Sequence, residues 1–220
     1  MDVPPYGLSG TVYGALLNHR SALEALGTSL SAPPYGAAPR APVLYVKPRN
    51  TLLSCSAPVR VPRGVAELEV GATLGVVIGR PACRLDEGTA LESIAGYLIV
   101  NDVSIPHLPY YRPSIPQKAR DGFCPLSCTV VPRARIANPD RLGIRVFIDG
   151  ELRASANTDA LVRPVARLLA DVTEFMTLAA GDVLAVGVAA PAPRVRAGQR
   201  ARIEIEGLGV LENPFVEEGA

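Results

Sequence analysis

From Glu67 to Ile78 the chain reads ELEVGATLGVVI, and this alternation constrains the fold more than any other stretch. Successive side chains of a strand point to opposite faces. Leu68, Val70, Ala72, Leu74, Val76 and Ile78 therefore share one face, which is wholly apolar and belongs in a core. The other face carries Glu67, Glu69, Gly71, Thr73, Gly75 and Val77. Small and polar residues there suit a face that lines a cavity or lies under another backbone. Twenty-one prolines and 20 glycines among 220 residues favour many turns and short strands over a helix bundle.

The same logic orders the rest of the chain. Thr11 to Leu17 reads as a strand, and Asn18 is placed to cap a short helix from Ser21 to Leu26 that Gly27 ends. Residues 28–42 are rich in Pro and Ala and read as a loop that could lie over a pocket. Val43 to Val46 is a short strand, Asp86 to Ile94 a short helix, and Tyr97 to Val100 an apolar strand. Pro125 to Val130 and Leu142 to Ile148 follow as strands, and Asp149-Gly150 reads as a hairpin turn into Glu151-Leu152-Arg153. Val162 to Met176 is amphipathic, with Val165, Leu168, Leu169, Val172, Phe175 and Met176 as its apolar stripe. Strands at Val183 to Gly187, Ala201 to Glu206 and Val210 to Asn213 complete the set. The expected fold is mainly β with a few helices (α+β), a mixed β-sandwich or β-roll in a single domain spanning 1–220. Residues 1–9 and 214–220 are expected to be flexible ends.

Charge narrows the function classes. The formal net charge is +1, which gives no reason to expect nucleic acid or an anionic membrane as partner. No apolar run is long enough to span a bilayer, and MDVPPYGLSG lacks the layout of a signal peptide, so the expected location is the cytoplasm. Cys55, Cys83, Cys124 and Cys128 form no C-x-x-C pair, and two histidines are too few for a zinc site, so reduced and mostly buried thiols are expected.

Chemistry concentrates between Gly96 and Phe123. A strand ends on Asn101-Asp102, and a loop rich in Pro and Tyr leads to Lys118, Arg120 and Asp121. A carboxylate at a strand end with a lysine on the next loop makes a candidate site for an anionic ligand. Lys47 follows a strand and reads either as a ligand contact or as surface charge. His19, at a strand-to-helix junction, reads either as a cap or bridge in a turn or as a ligand contact.

Several segments together carry a resemblance. LNHRSALEAL at 17–26, KPRNT at 47–51, VVIGR at 76–80, AGYLIVNDVS at 95–104, YYRP at 110–113, KARDGFCPL at 118–126, NTDAL at 157–161 and EFMTLAAGD at 174–182 resemble the fumarylacetoacetate hydrolase superfamily. The match is nearest to its isomerase/decarboxylase branch of 4-hydroxyphenylacetate catabolism. That branch comes as two homologous halves, fused or separate, and this chain resembles the first half. The resemblance implies a β-sandwich roll and small di- or tricarboxylate 2-oxo acids as substrates. It also implies a homo-oligomer or a hetero-oligomer with a paralogous metal-bearing subunit. The implied cofactor is Mg²⁺ or Mn²⁺, held by a Glu-x-Glu pair and an Asp, as a hard cation with oxygen ligands requires. Asp102 matches that Asp and Lys118 the lysine beside the substrate, while Tyr111, Arg112 and Lys47 are candidate substrate contacts and His19 a candidate catalytic residue.

The departures bear on the metal. Gly71 and Thr73 stand at the two glutamate positions. Glu67 and Glu69 form a Glu-x-Glu, but four residues too early, ~13 Å along a strand, and are expected at the surface. The hydrolases' general-base histidine position is Ala22, and Gly187-Val188-Ala189 replaces their Gly-Thr-Pro. Three functions follow: a subunit whose metal chemistry sits in a paralogue, a metal-independent isomerase acting alone, or a non-catalytic subunit that stabilises its partner.

Overall fold

The structure is a computed structural model that describes residues 2–3, 6–7, 10–108 and 114–219. The main elements in chain order are β1 (Val12–Leu16), α1 (Arg20–Leu26), β2 (Val43–Lys47), β3 (Val59–Val61), β4 (Ala72–Ile78), β5 (Ile94–Asn101), α2 (Ile115–Lys118), β6 (Val131–Pro132), β7 (Gly143–Ile148), β8 (Glu151–Asn157), α3 (Val165–Phe175), β9 (Val183–Ala185), β10 (Arg200–Ile205) and β11 (Gly209–Glu217). They form two sheets, one in the order β6-β5-β4-β9-β1-β2 and the other β8-β7-β10-β11-β3. Most neighbours run antiparallel, but β9 runs parallel to β1 and β3 parallel to β11. The chain is therefore mainly β with a few helices, as its alternating patterns predict.

The principal core lies where the sheets face each other. Leu74, Val76 and Ile78 of β4 meet Ile144, Val146, Ile203, Leu211 and Phe215 there, closed by Val165, Leu168, Leu169 and Val172 of α3. The second face of β4 is buried as well, under a smaller core of Leu98, Val100, Cys124, Leu126 and Val183. Gly75 is needed beneath it, because a Cβ there would press on Leu98 and Val100. Only Gly71, at the start of that face, reaches a cavity.

Several boundaries differ from expectation. The strand predicted from Glu67 breaks at Val70-Gly71: Leu68–Glu69 pairs with Arg194–Val195, and Val70 N–H donates to Pro193 O at 2.9 Å. Asp86 to Ile94 holds one short 3-10 turn, Ala90–Ser93, before β5 begins. Of the strand predicted at Pro125 to Val130, Pro125 alone lies in a strand, Cys124–Pro125, which runs parallel to Leu52–Leu53, while Leu126 makes an isolated bridge to Val100. Phe175 is 65% exposed and is not part of the helix stripe. Asp149 and Gly150 both have positive φ, the conformation a two-residue hairpin turn demands. The segment after Asn213 is no flexible end, since β11 runs through Glu217 and buries Phe215 completely.

The cysteines also depart from the reduced state expected of them. Cys55 and Cys128 form a disulfide across 73 residues, while Cys83 is exposed and Cys124 buried as free thiols. No helix among the described residues is long and apolar enough to cross a membrane.

Candidate functional site

β5 delivers the centre of the site. Its last residue, Asn101, accepts a hydrogen bond from Gly71 N–H at 3.0 Å, and Asp102 N–H donates to Gly71 O at 2.8 Å. The two backbones cross so closely that a Cβ at Gly71 would collide with the carbonyl oxygen of Asp102. This crossing fixes the Asp102 carboxylate, which is 3% exposed.

Three side chains converge on that carboxylate. Lys47 Nζ lies 2.6 Å from Oδ1, Lys118 Nζ 2.5 Å from Oδ2, and Tyr45 donates its hydroxyl to Oδ2 at 2.5 Å. Tyr45 and Lys47 sit two apart on β2 and so share a face, while Lys118 ends α2. Lys47 also donates to the carbonyls of Val103, Lys118 and Phe123, each at 2.9 Å. It is thus neither a surface charge nor part of the cavity wall: backbone carbonyls and Asp102 absorb its donors, and it holds the floor together. Lys118 is the more open of the two, with its ammonium 4.8 Å from the centre of the Tyr45 ring.

The electrostatics follow from burial and pairing. Burial alone would raise the Asp102 pKa, but the Lys118 and Lys47 ammonium groups outweigh it and hold the carboxyl well below the usual range. Burial lowers the Lys47 pKa, with Asp102 opposing. Burial and the neighbouring Asp102 charge push the Tyr45 phenol well above its ordinary value, so it stays a hydrogen-bond donor. Two ammonium groups against one carboxylate leave the floor with a net positive charge.

A cavity of about 510 Å³ opens over this floor. Tyr45, Gly71, Asp102 and Lys118 lie at its base, and Leu16, Ala22, Ala25 and Leu26 make one apolar wall. Val188 to Ala192 make another, with a cis peptide between Ala190 and Pro191. Glu69, Ser104, His107 and Arg194 supply further polar groups. Glu69 Oε1 pairs with Arg194 Nη2 at 3.2 Å, and Oε2 accepts from Ser104 Oγ at 2.9 Å. His107 Nδ1 donates to Ile105 O at 2.8 Å.

The candidates from sequence divide clearly. Asp102 and Lys118 meet in one cluster, and Lys47 supports it from behind. His19 does not line the cavity. It caps α1 in place of Asn18, with Nδ1 accepting from Ser21 N–H at 3.3 Å, and Ser21 Oγ accepts from Ala190 N–H at 2.9 Å. His19 therefore steadies the cavity wall from outside, and burial lowers its pKa. Asn18 instead clips β1 to the entry of α3, donating to Val186 O at 2.7 Å and accepting from Arg163 N–H at 2.9 Å. Tyr111 and Arg112 lie outside the described residues. No residue of 28–42 contributes to the wall. Glu69 is not a surface residue but part of the cavity, whereas Glu67 stands at the periphery, 3.6 Å from Arg196. Tyr45, Glu69, Ser104, His107 and Arg194 are the site residues that sequence reasoning missed. The period-2 spacing from Lys47 back to Tyr45, and from Asp102 on to Ser104, was the available signal.

The chain matches the family model described as fumarylacetoacetate (FAA) hydrolase C-terminal over residues 11–216. It belongs to the fumarylacetoacetate hydrolase family. Among curated relatives of this family, it is 40% identical over 211 residues to the 4-hydroxyphenylacetate degradation bifunctional isomerase/decarboxylase of Escherichia coli. That match covers 96% of this chain and 48% of the relative, so the chain spans about half its length. Among solved structures, a 5-carboxymethyl-2-hydroxymuconate delta-isomerase from Mycobacterium smegmatis superposes with a TM-score of 0.79 at 28% identity, covering 97% of this chain and 81% of that one. A fumarylpyruvate hydrolase from Pseudomonas aeruginosa, in complex with Mn²⁺ and pyruvate, shares the fold at a TM-score of 0.82 and 24% identity, covering 94% of this chain and 90% of that one.

The residues present in this family member do not fit a divalent metal. Both Asp102 oxygens face ammonium groups. Gly71 offers no ligand and has no room for one. Thr73 is fully buried, outside the cavity wall, and its hydroxyl accepts from Gly187 N–H at 3.1 Å. No group of three His, Cys, Asp or Glu side chains among the described residues converges as a metal site. Magnesium demands near-octahedral oxygen ligation, and one carboxylate already paired with two cations does not supply it.

Proposed function

We propose that this chain is a subunit of an isomerase/decarboxylase of aromatic catabolism. Its cavity would bind a small 2-oxo or 2-hydroxy-diene dicarboxylate and move protons on it. Substrates of this kind are 2-hydroxyhepta-2,4-diene-1,7-dioate and 5-oxopent-3-ene-1,2,5-tricarboxylate. The supporting observation is the net positive floor: Lys118 faces the cavity while Lys47 holds Asp102 from behind. Isomerising a dienol to an enone takes one proton from oxygen and adds one to carbon. The dienolate between those steps carries the charge that the Lys118 ammonium stabilises, in a pocket with largely apolar walls. In this reading residues 1–220 form one domain, and metal-dependent decarboxylation belongs to a paralogous subunit with an intact Glu-x-Glu. The assembly is an oligomer. The Cys55–Cys128 disulfide is the observation that weighs against a reducing compartment.

The test is turnover of a 2-hydroxy-diene dioate by the purified chain in the presence of a chelator. The expected result is isomerisation unaffected by the chelator and lowered about 100-fold or more by Lys118→Ala. A second reading, a non-catalytic subunit, draws support from the completeness of the Asp102 ion pairs within the chain. It predicts that Lys118→Ala leaves the activity of the assembled complex unchanged, and that outcome would replace the first reading.

A further inference from the structure

The cavity has a second cationic group that the floor cluster does not use. Arg194 lines the same cavity as Lys118 and belongs to a different element. Its backbone is held by the short ladder that sets Arg194 opposite Glu69 and Val195 opposite Leu68. Val195 and Leu68 are completely buried, so the position from which the arginine reaches out is fixed. Its side chain is 42% exposed and open to a solute, whereas Lys118 is 13% exposed at the base.

The guanidinium is only partly engaged. Among the described residues its one polar partner is Glu69, through Nη2 at 3.2 Å. A guanidinium carries five N–H donors in a planar fork, so donors remain for a carboxylate. Glu69 is in turn held by Ser104, whose hydroxyl donates to the other carboxylate oxygen at 2.9 Å, and by the backbone bridge between residues 69 and 104. The pair is a braced cation, not a free one. A neutral end group brought beside it gains only a hydrogen bond in which one partner is charged. A carboxylate gains a two-pronged, charge-assisted contact. Much of the remaining lining is apolar, including Leu16, Ala22, Leu26, Val188 and Pro191. A cavity lined by Lys118, Arg194 and apolar side chains suits a ligand that carries two anionic groups on a hydrocarbon chain.

We infer that Arg194, braced by Glu69 and Ser104, is the specificity residue that reads the distal carboxylate of the ligand whose 2-oxo-acid end lies at Lys118. This rests on the reading of the cavity as a 2-oxo-acid site. It adds the residue by which a dicarboxylate is told from a monocarboxylate of the same length.

The test compares 2-oxohexanedioate with 2-oxohexanoate, which differ only in the terminal carboxylate, by calorimetric titration of the full chain. The wild-type protein is expected to bind the dioate about 10- to 100-fold more tightly. Arg194→Gln is expected to abolish that preference while leaving the affinity for 2-oxohexanoate unchanged. Arg194→Lys is expected to restore part of the preference, because a point charge replaces the fork. A merely structural arginine would change both affinities together. Equal binding of the two compounds by the wild-type chain overturns the inference, as does a dioate preference that survives in Arg194→Gln. If 2-oxohexanoate binds and is lost in Lys118→Ala, the underlying site stands whatever Arg194 does. If neither compound binds the wild-type chain, the reading of the cavity falls and this inference with it.

Discussion

Asp102 decides the chemistry of the site at the scale of single residues. It is buried, its carboxyl is held ionised, and its partners are ammonium groups from β2 and α2. Replacing it by Asn leaves Lys47 buried without a counter-charge, and removing one partner of such a cluster costs about 3–5 kcal/mol. Urea unfolding of Asp102→Asn against the wild type measures this, and an unchanged midpoint would contradict the assigned pairing. The same group predicts a pH dependence. The folded chain holds the Asp102 pKa below that of the unfolded chain, which is about 4. In the interval between the two values the unfolded state binds more protons. The ion pairs therefore stabilise fully above about pH 4 and lose that contribution as pH falls toward the folded value. The acid limb of the stability curve should be flatter in Asp102→Asn, read by circular dichroism along a pH series. Arg194 and Glu69 lie far apart in sequence, and only the tertiary ladder between their strands brings them together. No local pattern announces such a pair. Asp102 and Lys118 were legible because a strand end and the following loop already place them near one another.

Among the elements, the short parallel pair Leu52–Leu53 and Cys124–Pro125 carries more than its length suggests. It lies beside Phe123, whose carbonyl receives Lys47, so its position bears on the floor of the cavity. The Cys55–Cys128 disulfide ties the segments that leave these two strands. Reduction should lower the unfolding free energy by about 2–4 kcal/mol. Denaturant unfolding with and without reductant, and in Cys55→Ser/Cys128→Ser, checks the value, and coincident curves would contradict it. Spacing could not reveal this bridge, because cysteines far apart in sequence meet only through the fold. A similar limit explains α1. Both Asn18 and His19 can cap a helix, and the choice was made by Val186 and Arg163, which take the Asn18 side chain for themselves. By contrast, Leu142 to Ile148, the Asp149-Gly150 turn and the α3 stripe were legible, because period and turn chemistry are local properties.

For the whole molecule, the two sheets close on each other through β4 and β5, which are buried on both faces over most of their length. Burial on the second face of β4 was not legible, since small residues there fit a cavity and a covering layer equally well. The C-terminal strand belongs to this closure. Phe215 is completely buried and its N–H donates to Gln199 O at 2.8 Å, so Phe215→Ala should cost about 3–5 kcal/mol in urea unfolding. A cost below 1 kcal/mol would fit a loose end and contradict the strand. The family fold surrounds a cavity whose cationic floor is built from lysine. The most direct test is a calorimetric titration of the purified chain with oxalate, a small 2-oxo-acid mimic, alone and with Mg²⁺ or Mn²⁺, in the wild type, Lys118→Ala and Asp102→Ala. The account predicts oxalate binding that is the same with chelator as with metal and is lost in Lys118→Ala. Binding that appears only with the metal and vanishes in Asp102→Ala would contradict it.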